Sequence, residues 1–248
     1  MTLTGKTAIV TGGGRDIGRA CAEALAAEGA NIVINYHASS AGADDTVAAI
    51  EAAGGRAVAL QGNLMTQAGA DALIAKAVET FGGVDILVNN TGGLVARKTM
   101  AEADLEHWTK VMDLNLTSVF LMVKGCLPHM TAGGAIINMA SLAGRDGGGP
   151  GAVAYATSKG AVMTMTRGLA KELGPDIRVN AINPGMIDTD FHNIFTKDAV
   201  RTNVAAATPL KREGRPQEIG DLVAYLASDK SSFVNGACID ANGGVAFS

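Results

Sequence analysis

A chain of 248 residues with 48% hydrophobic and 18% charged residues has the size and composition of one globular domain built around a large core. Its net charge of -4 provides no basic surface, which argues against a nucleic-acid partner. Residues 1–6 carry no secretory signal and we expect no membrane-spanning run, so the sequence predicts a cytoplasmic protein without a membrane partner.

The cysteines and histidines show no sign of a disulfide framework or a metal site. Cys21, Cys126 and Cys238 are odd in number, far apart and set in apolar sequence, which predicts small buried residues. The four histidines are not spaced as metal ligands, either with one another or with the cysteines, so no metal is predicted.

Short β-rich segments alternate with longer helical patterns along the whole chain. This alternation predicts an α/β fold in which a doubly wound parallel sheet carries helices on both faces. Strands are predicted at residues 7–10, 31–35, 57–61, 86–89, 135–139, 178–182 and 238–240. Helices are predicted at residues 17–28, 43–53, 67–81, 113–130, 152–172 and 217–227.

One long stretch interrupts the alternation of strands and helices. Residues 183–212 form the longest stretch without a clear strand, and a loop of that length in a compact domain is usually functional. We therefore expect it to contribute to a substrate site. No repeat or low-complexity linker divides the chain, so residues 1–248 are predicted to form a single domain.

The first predicted strand runs into a glycine-rich turn, residues 11–18, which opens the first helix. Such a turn lets the backbone approach a pyrophosphate, whose charge is met by amides at the helix N-terminus. Arg19 and Ala20 follow where a P-loop needs Lys and Ser or Thr, so a P-loop is excluded. The predicted cofactor contacts in this turn are Gly12, Gly14, Arg15, Asp16, Ile17 and Gly18.

The end of the second strand indicates which dinucleotide binds. An NAD site usually places a carboxylate there for the ribose 2′-hydroxyl, but this chain has Tyr36. Arg15 stands at a helix start, where a cation is disfavoured unless an anion lies near. Together these features favour NADP(H) over NAD(H), with Ser39 as a second phosphate contact and a solvated Arg15 as the alternative.

A tyrosine and a lysine four residues apart lie in the long predicted helix 152–172. Tyr155 and Lys159 share a helix face, and a cation beside a phenol, whose ordinary pKa is about 10, favours the phenolate and aids proton exchange. Ser141, at the end of a strand-like run, can offer a hydroxyl to the same substrate oxygen. The spacing also arises by chance on helix surfaces, but the serine and the glycine-rich turn favour an active site.

Taken together, these motifs resemble the short-chain dehydrogenase/reductase family along nearly the whole chain. The resemblance implies a Rossmann-type fold, hydride transfer between a nicotinamide and a carbonyl or secondary alcohol, and a homo-oligomer, commonly a tetramer. It implies that Ser141, Tyr155 and Lys159 are catalytic and that Asn115 holds a proton-relay water. Asp16 departs from the family pattern, which has glycine there, so we expect its carboxylate to cap the helix or pair with Arg19.

The resemblance also assigns cofactor contacts further along the chain. Asn63 and Leu64 stand at the family's adenine contacts, with Asn63 in place of an aspartate. Residues 89–92 resemble a segment that runs beside the cofactor, with Thr91 in place of an alanine. Residues 184–189 match the segment that holds the nicotinamide carboxamide. The contacts implied are Asn63, Leu64, Asn90, Gly92, Tyr155, Lys159, Pro184, Gly185, Ile187 and Thr189.

Three segments are expected to ring the carbonyl site: residues 92–98, 144–151 and 188–192. They are polar and glycine-rich, and resemble those of family members that reduce keto-deoxy uronic acids and related sugar acids. A small polar or acidic keto or aldehydo substrate is therefore predicted, with one of three basic residues meeting its carboxylate. The predicted substrate contacts are Gly93, Arg97, Arg145, Gly149 and His192.

Three alternatives stay open. The substrate can be a 3-oxoacyl thioester carried by acyl-carrier protein, an activity widespread among similar proteins. The chain can be a non-catalytic dinucleotide-binding protein of the same fold, since fold does not fix function. Arg97 and Lys98 can also be surface residues that pair with nearby acids such as Glu102 or Asp104.

Overall fold

Seven strands form one sheet in the computed structural model, which describes residues 1–247. The strands are β1 Thr7–Val10, β2 Asn31–Tyr36, β3 Arg56–Gln61, β4 Val84–Asn89, β5 Met130–Met139, β6 Ile177–Pro184 and β7 Cys238–Ala241. Their order is β3-β2-β1-β4-β5-β6-β7, and every neighbouring pair is parallel. The predicted doubly wound α/β fold is confirmed, with its switch point between β1 and β4, where such sheets bind ligands.

Helices cover both faces of this sheet. Their bounds are α1 Asp16–Ala27, α2 Ser40–Ala52, α3 Gln67–Phe81, α4 Leu105–Met112, α5 Ser118–Cys126, α6 Ala143–Asp146, α7 Val153–Leu173, α8 Asp190–Phe195, α9 Asp198–Ala207 and α10 Pro216–Ala227. The strands supply a core to each face because successive side chains point to opposite sides. In β1, Ala8 and Val10 pack with α1 and α10, whereas Ile9 packs with α3, α5 and α7.

The helix predicted at residues 113–130 differs from the structure at both ends. Helical structure begins at Leu105, where the carboxylate of Asp104 accepts the backbone N–H of His107 at 2.7 Å as an N-cap. It passes through one π-helical turn, Asp113–Thr117, and α5 ends at Cys126. Met130 already belongs to β5, because it pairs with Val84.

The stretch Leu105–His129 is long and apolar enough, by length and composition alone, to cross a membrane. The expectation that the chain contains no such run is wrong by that criterion. The apolar composition has another cause in this fold, since Met122, Val123 and Cys126 are buried against the sheet. One such helix is the ordinary pattern of a helix in a protein core.

The segment after β6 is more ordered than the sequence indicated. It contains α8 and α9, and the backbone of Ile187 pairs with that of Gly214 where the segment returns to the sheet. The cysteines follow the prediction more closely. All three are free thiols; Cys21 and Cys126 are buried, and Cys238 is half-buried on the edge strand β7.

Candidate active site

A cavity of about 1000 Å³ lies at the carboxyl ends of the central strands. It collects segments that are far apart in sequence: the turn after β1, the ends of β2 and β4, the loop after β5, the start of α7 and the segment after β6. Every predicted cofactor contact lines it. So do three of the four predicted catalytic residues and four of the five predicted substrate contacts, Asn115 and Arg145 being the exceptions.

The three predicted catalytic side chains converge on the floor of this cavity. Tyr155 and Lys159 lie one turn apart on α7, with the lysine Nζ 5.8 Å from the centre of the tyrosine ring. Ser141, which follows β5, lies close enough to Tyr155 for its hydroxyl to lower the pKa of the phenol. Lys159 is only 3% exposed, and its Nζ donates to the carbonyl oxygen of Met139 at 2.7 Å.

Burial dominates the protonation of these groups. It lowers the pKa of Lys159 from 10.5 to about 8, because an ammonium is poorly solvated there. It raises the pKa of Tyr155, an effect that the hydrogen bond from Ser141 partly offsets. The expectation that the lysine would favour the phenolate is therefore not met. A phenol that stays protonated at neutral pH suits a proton donor.

Asn115 lies inside the π-helical turn, below the cavity wall. Its Nδ2 donates to the carbonyl oxygens of Gly93 and Val111, both at 2.8 Å, and its Oδ1 accepts the N–H of Gly93 at 2.9 Å. A Cβ on Gly92 would meet Asn115 Oδ1 at 2.7 Å and Lys159 Nζ at 2.9 Å. Asn115 thus anchors the loop after β4 and brings its oxygen to the same side of Gly92 as the lysine.

The turn after β1 fits a dinucleotide pyrophosphate. Gly12 has a positive φ of 65°, and a Cβ on Gly18 would lie 2.0 Å from the Gly12 carbonyl oxygen, so the turn admits no side chain at that point. Asn90 holds the turn in place by donating to the Thr11 carbonyl oxygen at 3.0 Å. The Thr91 hydroxyl oxygen, in the cavity wall, is buried without a partner among the described residues and is available to a bound cofactor.

Asp16 explains how a carboxylate is accommodated in this turn. Its φ of 51° is left-handed, a conformation that glycine favours and that aspartate tolerates better than most residues. The side chain neither caps α1 nor pairs with Arg19, which binds Glu23 at 2.7 Å. Instead its Oδ1 accepts the N–H of Asp190 at 3.3 Å, and its Oδ2 lies 3.8 Å from Arg15 Nε.

The site expected for the 2′-phosphate contains Tyr36 and Ser39, with no carboxylate between them. The backbone just before Arg15 adjoins this site, because a Cβ on Gly14 would contact the carbonyl oxygen of Ser39 at 3.2 Å. The Arg15 side chain is turned elsewhere and binds Asp190 at 3.0 Å. This arginine therefore has a protein carboxylate as its partner.

The basic residues expected at the substrate are already engaged. Arg97 lines the cavity, but its Nε donates to the carbonyl oxygen of Phe195 and its Nη1 to that of Pro150, both at 2.9 Å. Arg145 lies outside the cavity, with its Nε 2.7 Å from Asp240, so the expectation that it contacts substrate is not supported. Lys98 pairs with Asp104 at 3.3 Å, as the surface alternative predicted.

His192 lines the cavity, with its Nδ1 3.0 Å from the hydroxyl of Thr196. Burial is the largest influence on its imidazole and lowers the pKa, and the positive charges of Arg201 and Arg97 lower it further. The ring is therefore neutral at pH 7. It can donate or accept a hydrogen bond, but it does not offer a substrate carboxylate a full positive charge.

The substrate end of the cavity is more apolar than the loop sequences indicated. The ring of Phe191 lies 5.9 Å from that of Tyr155 and 5.2 Å from that of Phe195, between centroids. The helices α8 and α9, which the sequence patterns did not predict, supply most of this surface. The other apolar residues that line it include Leu94, Val95, Ile194, Val200 and Val204. The helical spacing of Phe191, Ile194 and Phe195 was the signal available in the sequence.

One arginine holds the two helices over the cavity. Arg201, on α9, binds Asp188 at 2.7 Å and Glu213 at 2.5 Å, and it also donates to the side chain of Asn193 on α8. The Arg201 and Glu213 side chains are 16% and 18% exposed, so the bond between them is partly shielded from water. The segment after β6 is thereby tied at three points, which fixes the apolar wall of the cavity.

Comparisons with known proteins agree with this geometry. A family model described as Enoyl-(Acyl carrier protein) reductase matches residues 12–246. Glucose 1-dehydrogenase 2 of Bacillus subtilis is 39% identical, covering 98% of this chain and 95% of its own. The 3-oxoacyl-[acyl-carrier-protein] reductase of Synechocystis is 40% identical, covering 98% of both chains. The structure of a blue fluorescent protein from a metagenomic library, in complex with NADPH, has a TM-score of 0.93 at 36% identity and full coverage of both chains.

Proposed function

The chain belongs to the short-chain dehydrogenase/reductase family of oxidoreductases, and from that premise we propose that it is an NADP(H)-dependent reductase of carbonyl compounds. One observation carries the proposal. The hydroxyl of Ser141 and the phenol of Tyr155 lie side by side in the cavity, with the ammonium of Lys159 one helical turn from the tyrosine. A non-catalytic dinucleotide-binding protein would have no need of this arrangement.

Each residue has a distinct part in the proposed reaction. The nicotinamide, when bound, supplies or accepts the hydride. Tyr155 gives its proton to the carbonyl oxygen, and its raised pKa keeps that proton available at neutral pH. Ser141 orients and polarises the same oxygen through its hydroxyl. Lys159 holds the cofactor ribose. Asn115 positions the loop after β4, and the remaining lone pair of its Oδ1 accepts a hydrogen bond from a relay water.

The proposed preference for NADP(H) rests on the end of β2 and on Arg15. Tyr36 and Ser39 leave that end without a carboxylate that would repel a 2′-phosphate, and Arg15 lines the same cavity next to Gly14, which adjoins Ser39. The NADPH complex of the blue fluorescent protein is in keeping with this choice. NAD(H) remains the alternative cofactor, and an NADP(H) preference favours the reducing direction.

The apolar wall of the cavity favours a substrate with an apolar portion beside its carbonyl group. Phe191 and Phe195 lie where that portion would pack, close to Tyr155. A 3-oxoacyl thioester has this shape, and the Synechocystis relative is named for that reduction. We therefore place it first among the candidate substrates.

A small acidic keto or aldehydo sugar is the second candidate. The observation in its favour is that Arg97 and His192 both line the cavity, beside Gly93 and Gly149. The relative from Bacillus subtilis, which is named as a glucose dehydrogenase, also supports a sugar substrate. Against it, Arg97 is held by two carbonyl oxygens and His192 is neutral at pH 7.

A substrate panel tests the proposal. NADPH consumption is measured with an acetoacetyl thioester, an acidic keto sugar and the neutral counterpart of that sugar. We expect the highest kcat/KM on the thioester. A higher value on the acidic sugar, lost when its carboxylate is removed, would favour the second candidate. No turnover on any carbonyl compound, with NADPH binding intact, would favour a non-catalytic protein.

Domain organisation, cellular location and assembly are also part of what we propose. We propose that residues 1–248 act as a single cofactor-binding and catalytic unit, located in the cytoplasm and assembled as a homo-oligomer, with a tetramer expected from the family. Size-exclusion chromatography with light scattering measures the last of these directly. A monomeric mass at micromolar concentration would contradict it.

A further inference from the structure

Three charged groups meet between the turn after β1 and the first residue of α8. Arg15 Nη1 lies 3.0 Å from Asp190 Oδ2, and the backbone N–H of Asp190 donates to Asp16 Oδ1 at 3.3 Å. We call Arg15, Asp16 and Asp190 the clasp. It contains one guanidinium and two carboxylates, beside a groove that fits a phosphate-rich ligand.

The Asp190 carboxylate holds the Arg15 guanidinium in this arrangement. The Arg15 side chain points to Asp190, whereas the backbone of the preceding residue, Gly14, contacts Ser39 at the start of α2. Carrying the guanidinium from the carboxylate towards the end of β2 requires a change of the Arg15 side-chain rotamer. The Arg15 and Asp190 side chains are 54% and 53% exposed, so solvent screening makes the ion pair weak and exchangeable.

We infer that Asp190 helps to set cofactor selectivity, because it competes with the 2′-phosphate of NADP(H) for Arg15. The inference rests on the proposed function, in which Arg15 receives that phosphate. NAD(H) carries no 2′-phosphate, so its affinity does not increase when Arg15 is released from Asp190. Asp190 therefore reduces the preference for NADP(H), and Asp16 keeps Asp190 in place through the backbone hydrogen bond.

Calorimetric titration of the full chain with NADP⁺ and NAD⁺ tests this without any catalytic turnover. The variant is Asp190→Asn, which removes the negative charge but keeps Oδ1, the acceptor for the side chain of Asn193. We expect NADP⁺ to bind roughly two- to fivefold more tightly, the range for losing one exposed ion pair, with NAD⁺ unchanged. Equal or weaker NADP⁺ binding, or the same gain for both cofactors, would overturn the inference.

Asp188→Asn is the matched control. It removes a carboxylate two residues away that pairs with Arg201 and not with Arg15. We expect it to leave the ratio of NADP⁺ to NAD⁺ affinity unchanged. A change in this ratio as large as that caused by Asp190→Asn would show a general charge effect and would contradict the inference.

A double variant separates this inference from the proposed function. In the Arg15→Ala background, Asp190→Asn should no longer affect NADP⁺ binding. If Arg15→Ala weakens NADP⁺ binding but Asp190→Asn has no effect in the otherwise unchanged chain, only the inference fails. If Arg15→Ala leaves NADP⁺ binding intact, the phosphate role of Arg15 fails, and the inference fails with it.

Discussion

A Cβ atom on Gly18 would lie 2.0 Å from the carbonyl oxygen of Gly12, far inside any real contact distance. The start of α1 and the turn before it can pack this closely only when residue 18 has no side chain. Gly18→Ala should therefore displace the turn that we assign to the pyrophosphate. We expect NADP⁺ affinity, measured by calorimetry, to fall by two orders of magnitude or more.

Gly168→Ala is the control for that variant. Gly168 lies in α7 on an exposed face, and a Cβ there would meet nothing within 4 Å. Alanine at a helix interior is favoured over glycine by about 0.8 to 1 kcal/mol, so this variant should raise the free energy of unfolding. Its NADP⁺ affinity should equal that of the wild type. Near-normal binding by Gly18→Ala would contradict the assignment of the turn.

Tyr155→Phe should abolish most turnover and leave cofactor binding within a few-fold. The change deletes the proposed proton donor but keeps the aromatic ring beside Phe191. General acid catalysis contributes about 100-fold or more, so kcat should fall by at least that factor. Tyr225→Phe, on the partly exposed side of α10, is the matched control and should keep full activity. A large residual rate in Tyr155→Phe would show that another group donates the proton.

Arg15→Ala should erode the preference for NADPH and spare NADH. A charge-assisted contact to phosphate is worth about 1.5 to 3 kcal/mol, which is roughly 10- to 150-fold in affinity. The measurement is kcat/KM with each cofactor. Arg19→Ala is the control, because Arg19 pairs with Glu23 on the surface of α1 and should not change the ratio. A wild type with equal efficiency on both cofactors would refute the assignment.

Burial of Lys159 should appear in the pH dependence of stability. The pKa of Lys159 is about 8 in the folded chain, and its ordinary value of 10.5 applies to the unfolded chain. Between pH 8 and 10.5 the unfolded chain therefore binds more protons, and the free energy of unfolding rises with pH. Below pH 8 the buried charge costs about 3 kcal/mol. Urea unfolding should find Lys159→Met more stable at pH 7, with the difference shrinking from pH 8 to 10. A difference independent of pH would show that the lysine titrates normally.

Arg97→Ala should raise KM for acidic and neutral substrates by similar factors. The arginine connects the loop after β4 to the carbonyl oxygens of Phe195 and Pro150, so its loss loosens the cavity wall for any substrate. The measurement compares KM for an acidic keto sugar and for its neutral counterpart. A rise confined to the acidic sugar would mean instead that Arg97 binds the carboxylate.

The sequence by itself determined the features that depend on neighbouring residues. Alternation of strand and helix patterns predicted the parallel sheet, because those patterns follow from how each segment buries one face or both. The glycine-rich turn and the spacing of Tyr155 and Lys159 located the cofactor end and the proposed proton donor, because both are properties of a few consecutive residues. The irregular segment after β6 was predicted to be functional, although its two helices were not assigned.

Only the tertiary structure decided which side chains meet across the chain. Arg145 binds Asp240, 95 residues away, and Asp16 binds the amide of Asp190, 174 residues away. Nothing local in the sequence distinguishes these partners from a substrate carboxylate or from Arg19. The pKa values of Tyr155 and Lys159 depend on tertiary structure in the same way, since desolvation is the largest influence on both and depends on every segment packed around a group.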